Sequence, residues 1–176
     1  PHGQIWSQSS LPNEVIKKDT QQQKYFIKNN TSILEDYLKQ ELIIKERIIF
    51  ENNSFIVLVP FWAIWPFETM IIPKSHQNSI ADLSSSEKEC FAEAISILTK
   101  AYDKLFNCSF PYSSGIHQAP TNNQQNKHWH WHMSFYPPLL RSASVKKFMV
   151  GYELFGSPQR DITAESAAQR IRDCVN

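Results

Sequence analysis

The stretch Lys127-His128-Trp129-His130-Trp131-His132-Met133-Ser134-Phe135-Tyr136-Pro137-Pro138 alternates imidazoles with large apolar side chains. On an extended chain, a period of two sends His128, His130 and His132 to one face and Trp129, Trp131 and Met133 to the other. This predicts a strand with a chemical face and a core face, ended by two prolines that lack the N–H a ladder needs. Three imidazoles on one face suit a nucleotide or metal site; the plainer alternative is histidines on a solvated edge strand.

Working outward, Ser113–Gln118 reads as a short strand carrying His117. The longest helix is predicted to start within 82–87 and run to about Phe106, with Phe91, Ile95, Leu98, Tyr102 and Leu105 at three- and four-residue spacing on one face. Further upstream, Ile48–Glu51, Phe55–Val59 and Thr69–Pro73 read as strands. The first two are joined by Asn52-Asn53, residue types that tolerate the positive φ of a tight hairpin. The aromatic run Phe61-Trp62-Ala63-Ile64-Trp65-Pro66-Phe67 fits a pocket lining, an interface or plain core, and His76 in the loop beyond reads as structural. Ser32-Ile33-Leu34-Glu35 has the form of a capping box and opens a helix to near Arg47, with Leu34, Leu38 and Leu42 on its apolar face. Asn13 is expected to cap a polar helix to about Lys28, rich in glutamine and lysine and so an exposed arm. Gly151 to Gln159 reads as irregular, and Thr163 caps a last helix to about Asp173. Strands in a mixed or antiparallel sheet with helices across one face make the fold class α+β.

The 176 residues suffice for one core. Eighteen basic and 17 acidic residues, mixed along the chain for a net charge of +1, create no field for nucleic acid or a membrane surface. Cys90, Cys108 and Cys174 form no CxxC pair, which argues against a disulfide framework or zinc knuckle and suits a reducing, cytoplasmic compartment. The longest apolar run, Phe55–Trp65, is broken by Pro60 and too short to span a bilayer. A chemically loaded turn at the first residues, with Pro1 in place of an initiator methionine, suggests a cut N-terminus that has lost a strand.

His2-Gly3-Gln4, the 61–67 cluster, Phe110-Pro111-Tyr112-Ser113, His128-Trp129, the string from Phe135 to Ser142 and Lys147-Phe148-Met149-Val150-Gly151-Tyr152-Glu153 together resemble the galactose-1-phosphate uridylyltransferase family. The resemblance implies a two-lobed, histidine-triad-like protein. Residues 1–31 would end the catalytic N-terminal lobe and 32–176 would form the C-terminal lobe. It implies ping-pong uridylyl transfer between UDP-glucose and galactose-1-phosphate, with His2 as nucleophile and Gln4 on the transferred group. Lys147, Phe148, Tyr152, Glu153 and Gln159 would surround sugar and phosphates, reaching across a homodimer interface. The family's zinc ligands would lie upstream, and the 176 residues alone are expected to be inactive. For a second metal site, His117 and His132 match the family's ligand positions, but Lys18 stands in place of a glutamate and Ser134 in place of a histidine. His130 is the substitute ligand this pattern offers. The competing expectation is a metal-free cluster in which the Lys18 ammonium replaces the cation. Two other readings remain open: a histidine-triad nucleotide hydrolase or phosphorylase acting through His130, or a noncatalytic lobe for dimerisation or nucleotide sensing.

Overall fold

The computed structural model describes residues 3, 5, 9–122, 124–137 and 162–175. Among these residues five antiparallel strands, β1 (Ile48–Glu51), β2 (Phe55–Leu58), β3 (Thr69–Pro73), β4 (Ser113–His117) and β5 (His132–Tyr136), form one sheet in the order β1-β2-β3-β5-β4. Between β3 and β4 the chain crosses the sheet in α3 (Ser85–Phe106). It then adds β4 at the edge and returns to insert β5 between β3 and β4. This return places the end of β4 against the start of β5, pairing His117 with His132.

The expected helical layer is present. α3 and α4 (Ala164–Arg172) bury Phe91, Leu98, Tyr102 and Ile171 against Phe55, Val57, Ile71, Trp131 and Phe135. Phe55, Phe91 and Trp131 meet with ring centroids 5.2–5.8 Å apart, a trio of tilted and edge contacts of the favoured kind. The opposite face carries a second, smaller cluster in which α2 (Ile33–Ile44) sets Leu34 and Leu38 on Ile56, Leu58, Met70 and Ile72. Both faces of β2 and β3 are therefore covered, and every residue of these strands is buried.

Several local expectations change. α1 spans Asn13–Asn29 with Pro12, not Asn13, at its N-cap. Ser32 caps α2 in conformation only: its side chain makes no cap hydrogen bond, and Glu35 instead accepts from Thr31 Oγ1 at 3.3 Å. The complete capping boxes are at Ser79/Asp82, on a 3₁₀ turn, and at Ser84/Glu87, which starts α3. Neither Asn52 nor Asn53 is at positive φ. The hairpin is closed by Asn52 Oδ1, which accepts from Ser54 N at 3.1 Å and Phe55 N at 2.9 Å, an Asx-type turn.

α2 ends at Ile44, with Lys45 in the left-handed region, and this frees Arg47 for another task. Its guanidinium donates to Glu41 of α2 (Nε–Oε1 2.8 Å) and to Glu165 of α4 (2.7 Å), joining the helical layers of the two faces around the sheet edge. Glu41 is fully buried. Removing one member of a buried pair leaves the other charge unmatched, at a cost of about 3–5 kcal/mol. Urea unfolding of Arg47→Ala is expected to show a loss of that order. The double variant Arg47→Met/Glu41→Leu should recover most of it, whereas a loss under about 1 kcal/mol for Arg47→Ala would show that the clamp is not structural.

Candidate functional site

β5 begins at His132, four residues later than the alternation predicts. Asn126, at φ 34°, starts a turn that takes the chain out of the ladder. Its side-chain amide donates to Pro120 O and Asn122 Oδ1, and Trp129 N returns to Asn126 O at 2.9 Å. The three imidazoles consequently go to three different partners. His128 Nε2 donates to Asp19 Oδ1 of α1 at 2.7 Å. His130, with no exposed surface, donates Nε2–H to Pro73 O at 2.9 Å, and its Nδ1 is buried without a partner. His132 donates Nδ1–H to His130 O at 3.2 Å, which leaves the Nε2 lone pair facing Lys18 Nζ, 3.5 Å away. His117 stacks on His132 with centroids 5.1 Å apart.

His132, Ser134 and Tyr136 alternate along β5 into a cavity of about 790 Å³. Its other walls are Lys17, Lys18, Gln21 and Gln22 of α1, Ile33 and Leu34 of α2, Met70, and Trp62, Ile64, Trp65 and Glu68 of the aromatic segment. That segment is shaped from within. Glu68 Oε2 accepts from Ile64 N at 3.0 Å and Trp65 N at 3.3 Å, while Tyr102 OH donates to Phe67 O at 2.7 Å beneath it. Of the three roles the sequence leaves open, Trp62, Ile64 and Trp65 take the pocket lining and Phe67 the core.

α1 is more than an exposed arm. Lys18, Gln21 and Gln22, three and four residues apart, share one helical face and look into the cavity. Gln22 is buried with Oε1 unpartnered. Asp19 holds the helix down, because Oδ1 also accepts from Trp129 Nε1 at 2.6 Å. Hydrophobic periodicity could not reveal this role, since the inward face of α1 is polar.

The second metal site implied by resemblance does not fit these residues. Among the described residues no three His, Cys, Asp or Glu side chains are grouped to hold an ion. His130, the substitute ligand, is committed to Pro73, and an ammonium rather than a carboxylate faces His132. Burial first and then Lys18 lower the His132 pKa well below its ordinary value. The same causes bring His117 down to about 4. Burial, with a smaller contribution from His76, brings His130 to about 4. Lys18 is itself lowered, chiefly by burial, with Glu68 and Glu14 acting in the opposite direction. The catalytic and substrate-binding residues expected from the sequence, His2, Gln4, Lys147, Phe148, Tyr152, Glu153 and Gln159, lie outside the described residues.

Residues 18–176 match the family model for the C-terminal domain of galactose-1-phosphate uridyl transferase. The chain belongs to that family. It is 54% identical to the galactose-1-phosphate uridylyltransferase of Haemophilus influenzae over 172 residues, 98% of this chain and 49% of the relative. It is 51% identical to that of Schizosaccharomyces pombe over 98% of this chain and 47% of the relative. A solved uridylyltransferase structure superposes with a TM-score of 0.83 at 28% identity, covering 94% of this chain and 52% of that one. The chain thus spans about half the length of the relatives it matches. Among the described residues no helix is long and apolar enough to cross a membrane.

Two measurements probe the site. His117 and His130 have folded-state pKa values below the ordinary 6.5, so the unfolded chain takes up their protons first as pH falls. Their contribution is complete above about pH 6.5 and is lost as pH falls towards 4. The urea midpoint should drop through that window, less steeply in His117→Gln; a midpoint flat from pH 7 to 4.5 would contradict the burial of these imidazoles. Asp19→Ala removes two hydrogen bonds to a carboxylate, each worth about 1.5–3 kcal/mol, discounted here for partial exposure. A loss of about 2 kcal/mol, with faster amide exchange confined to α1, is expected.

Proposed function

We propose that the protein carrying this chain exchanges uridylyl between UDP-glucose and galactose-1-phosphate in two steps through His2. The observation that carries the reading is family membership with 54% identity to a galactose-1-phosphate uridylyltransferase, on a chain that begins with the Pro1-His2-Gly3-Gln4 string. Exchange without hydrolysis requires a nucleophile that is also a good leaving group, and neutral imidazole is both. In the first step the lone pair of the His2 imidazole attacks the α-phosphorus of UDP-glucose. The bond to the bridging oxygen breaks and glucose-1-phosphate departs with its electron pair. In the second step a phosphate oxygen of galactose-1-phosphate attacks the phosphoramidate, restoring His2 and forming UDP-galactose. The Gln4 amide stabilises the nonbridging oxygens. Lys147 offsets phosphate charge, Glu153 and Gln159 engage sugar hydroxyls, and Phe148 and Tyr152 flank the sugar.

The reading extends to a cytoplasmic homodimer with zinc bound elsewhere in the protein; the three cysteines here offer no paired zinc site. Hydrolysis through His130 is disfavoured, because that imidazole has no exposed surface and its Nε2 is engaged.

The full-length protein incubated with labelled UDP-glucose should carry acid-labile, base-stable label on the peptide containing His2. Active enzyme without such label would refute the assignment. His130→Gln, which can still donate to Pro73 O, should retain transfer within a few-fold; loss of turnover in a folded His130→Gln protein would reinstate the hydrolase-type reading.

A further inference from the structure

The reaction proposed above uses none of Lys18, His117, His132 and Ser134, yet Lys18, His132 and Ser134 line one cavity and His117 stacks on His132. His117 and His132 are direct cross-strand partners, so the backbone itself sets their rings side by side. With Nδ1–H of His132 committed to a backbone carbonyl, its Nε2 lone pair must meet either a hydrogen-bond donor or a Lewis acid. The group that meets it is the Lys18 ammonium, delivered by the inner face of α1. Ser134, next on the same face of β5, shares a hydrogen bond with Tyr136 and adds no charge.

We propose that the Lys18 ammonium occupies the position of a divalent cation, and that this one side chain is what keeps the His117–His132 pair from being a metal site. The two imidazoles already stand side by side, and a metal would need both in neutral form. What they lack is a third donor; in its place stands a positive charge that both fills the space and repels a dication. A carboxylate at position 18 reaches one bond less far than an ammonium. That shortening opens the gap needed by an ion about 2.0–2.2 Å from each nitrogen and oxygen ligand.

Metal content and stability of the full-length protein test this independently of the transferase reading. Wild type, His117→Ala and His132→Ala should contain the same amount of metal after purification and after dialysis against Co²⁺. Lys18→Glu should bind one additional equivalent of Co²⁺ per chain, with visible d–d absorption, and its thermal midpoint should become sensitive to chelator. Adding His132→Ala to Lys18→Glu should abolish the gain, and Lys18→Met, which removes the charge without supplying a ligand, should gain nothing. Wild-type metal that disappears in His132→Ala would overturn the proposal, as would a folded Lys18→Glu protein that binds no extra equivalent. Should Lys18→Glu fail to fold, Lys18→His supplies a ligand without the negative charge; the same gain is expected, and its absence is equally decisive.

Discussion

One carboxylate oxygen, Asp19 Oδ1, accepts from both His128 and Trp129 and so fastens a polar helix to the approach to β5. The cavity depends on that contact. A helix packed by leucines would close onto the sheet and leave no space, whereas α1 is held at its rim by hydrogen bonds and keeps glutamine and lysine over the centre. Lys18, one position before Asp19, is thereby aimed at His132. The cost of burying its charge appears in its lowered pKa, and Glu68 and Glu14 offset part of that cost. The same Glu68 folds the aromatic segment through the amides of Ile64 and Trp65, so both sides of the cavity answer to carboxylates.

Where apolar spacing carries the information, the sequence is legible. β1, β2 and β3, the five-residue face of α3 and the Thr163 cap of α4 lie close to where the pattern puts them, because these strands and helices bury apolar side chains on regular elements. Phe55-Ile56-Val57-Leu58 also holds a clue to the second helical layer. A strand covered on both faces reads as an unbroken apolar run, and this one does.

Polar contacts between distant segments leave no such trace. Nothing near Asp19 in sequence announces a contact with residues 128 and 129, and nothing near Arg47 announces Glu165. The histidine alternation misleads for a related reason. Period two is necessary for a strand face but not sufficient, since a left-handed residue at Asn126 and the backbone acceptor at Pro73 redirect the first two imidazoles before the ladder begins. His132, inside β5, does project to the face that alternation assigns to it.

Charge gives a reason why the cluster tolerates so different a composition from the ligand set the family resemblance implies. A dication with one glutamate carries a net charge of about +1, and a lysine beside neutral imidazoles and a serine carries the same, so the surrounding wall sees little change in field. Geometry supplies the other half: cross-strand pairing holds His117 against His132, and the tautomer of His132 is set by the carbonyl of His130. The lone pair at Nε2 therefore persists as a fixed demand of the sheet. Whether an ammonium or an ion meets that demand is decided from the helix, where a single exchange can alter the answer without moving a strand.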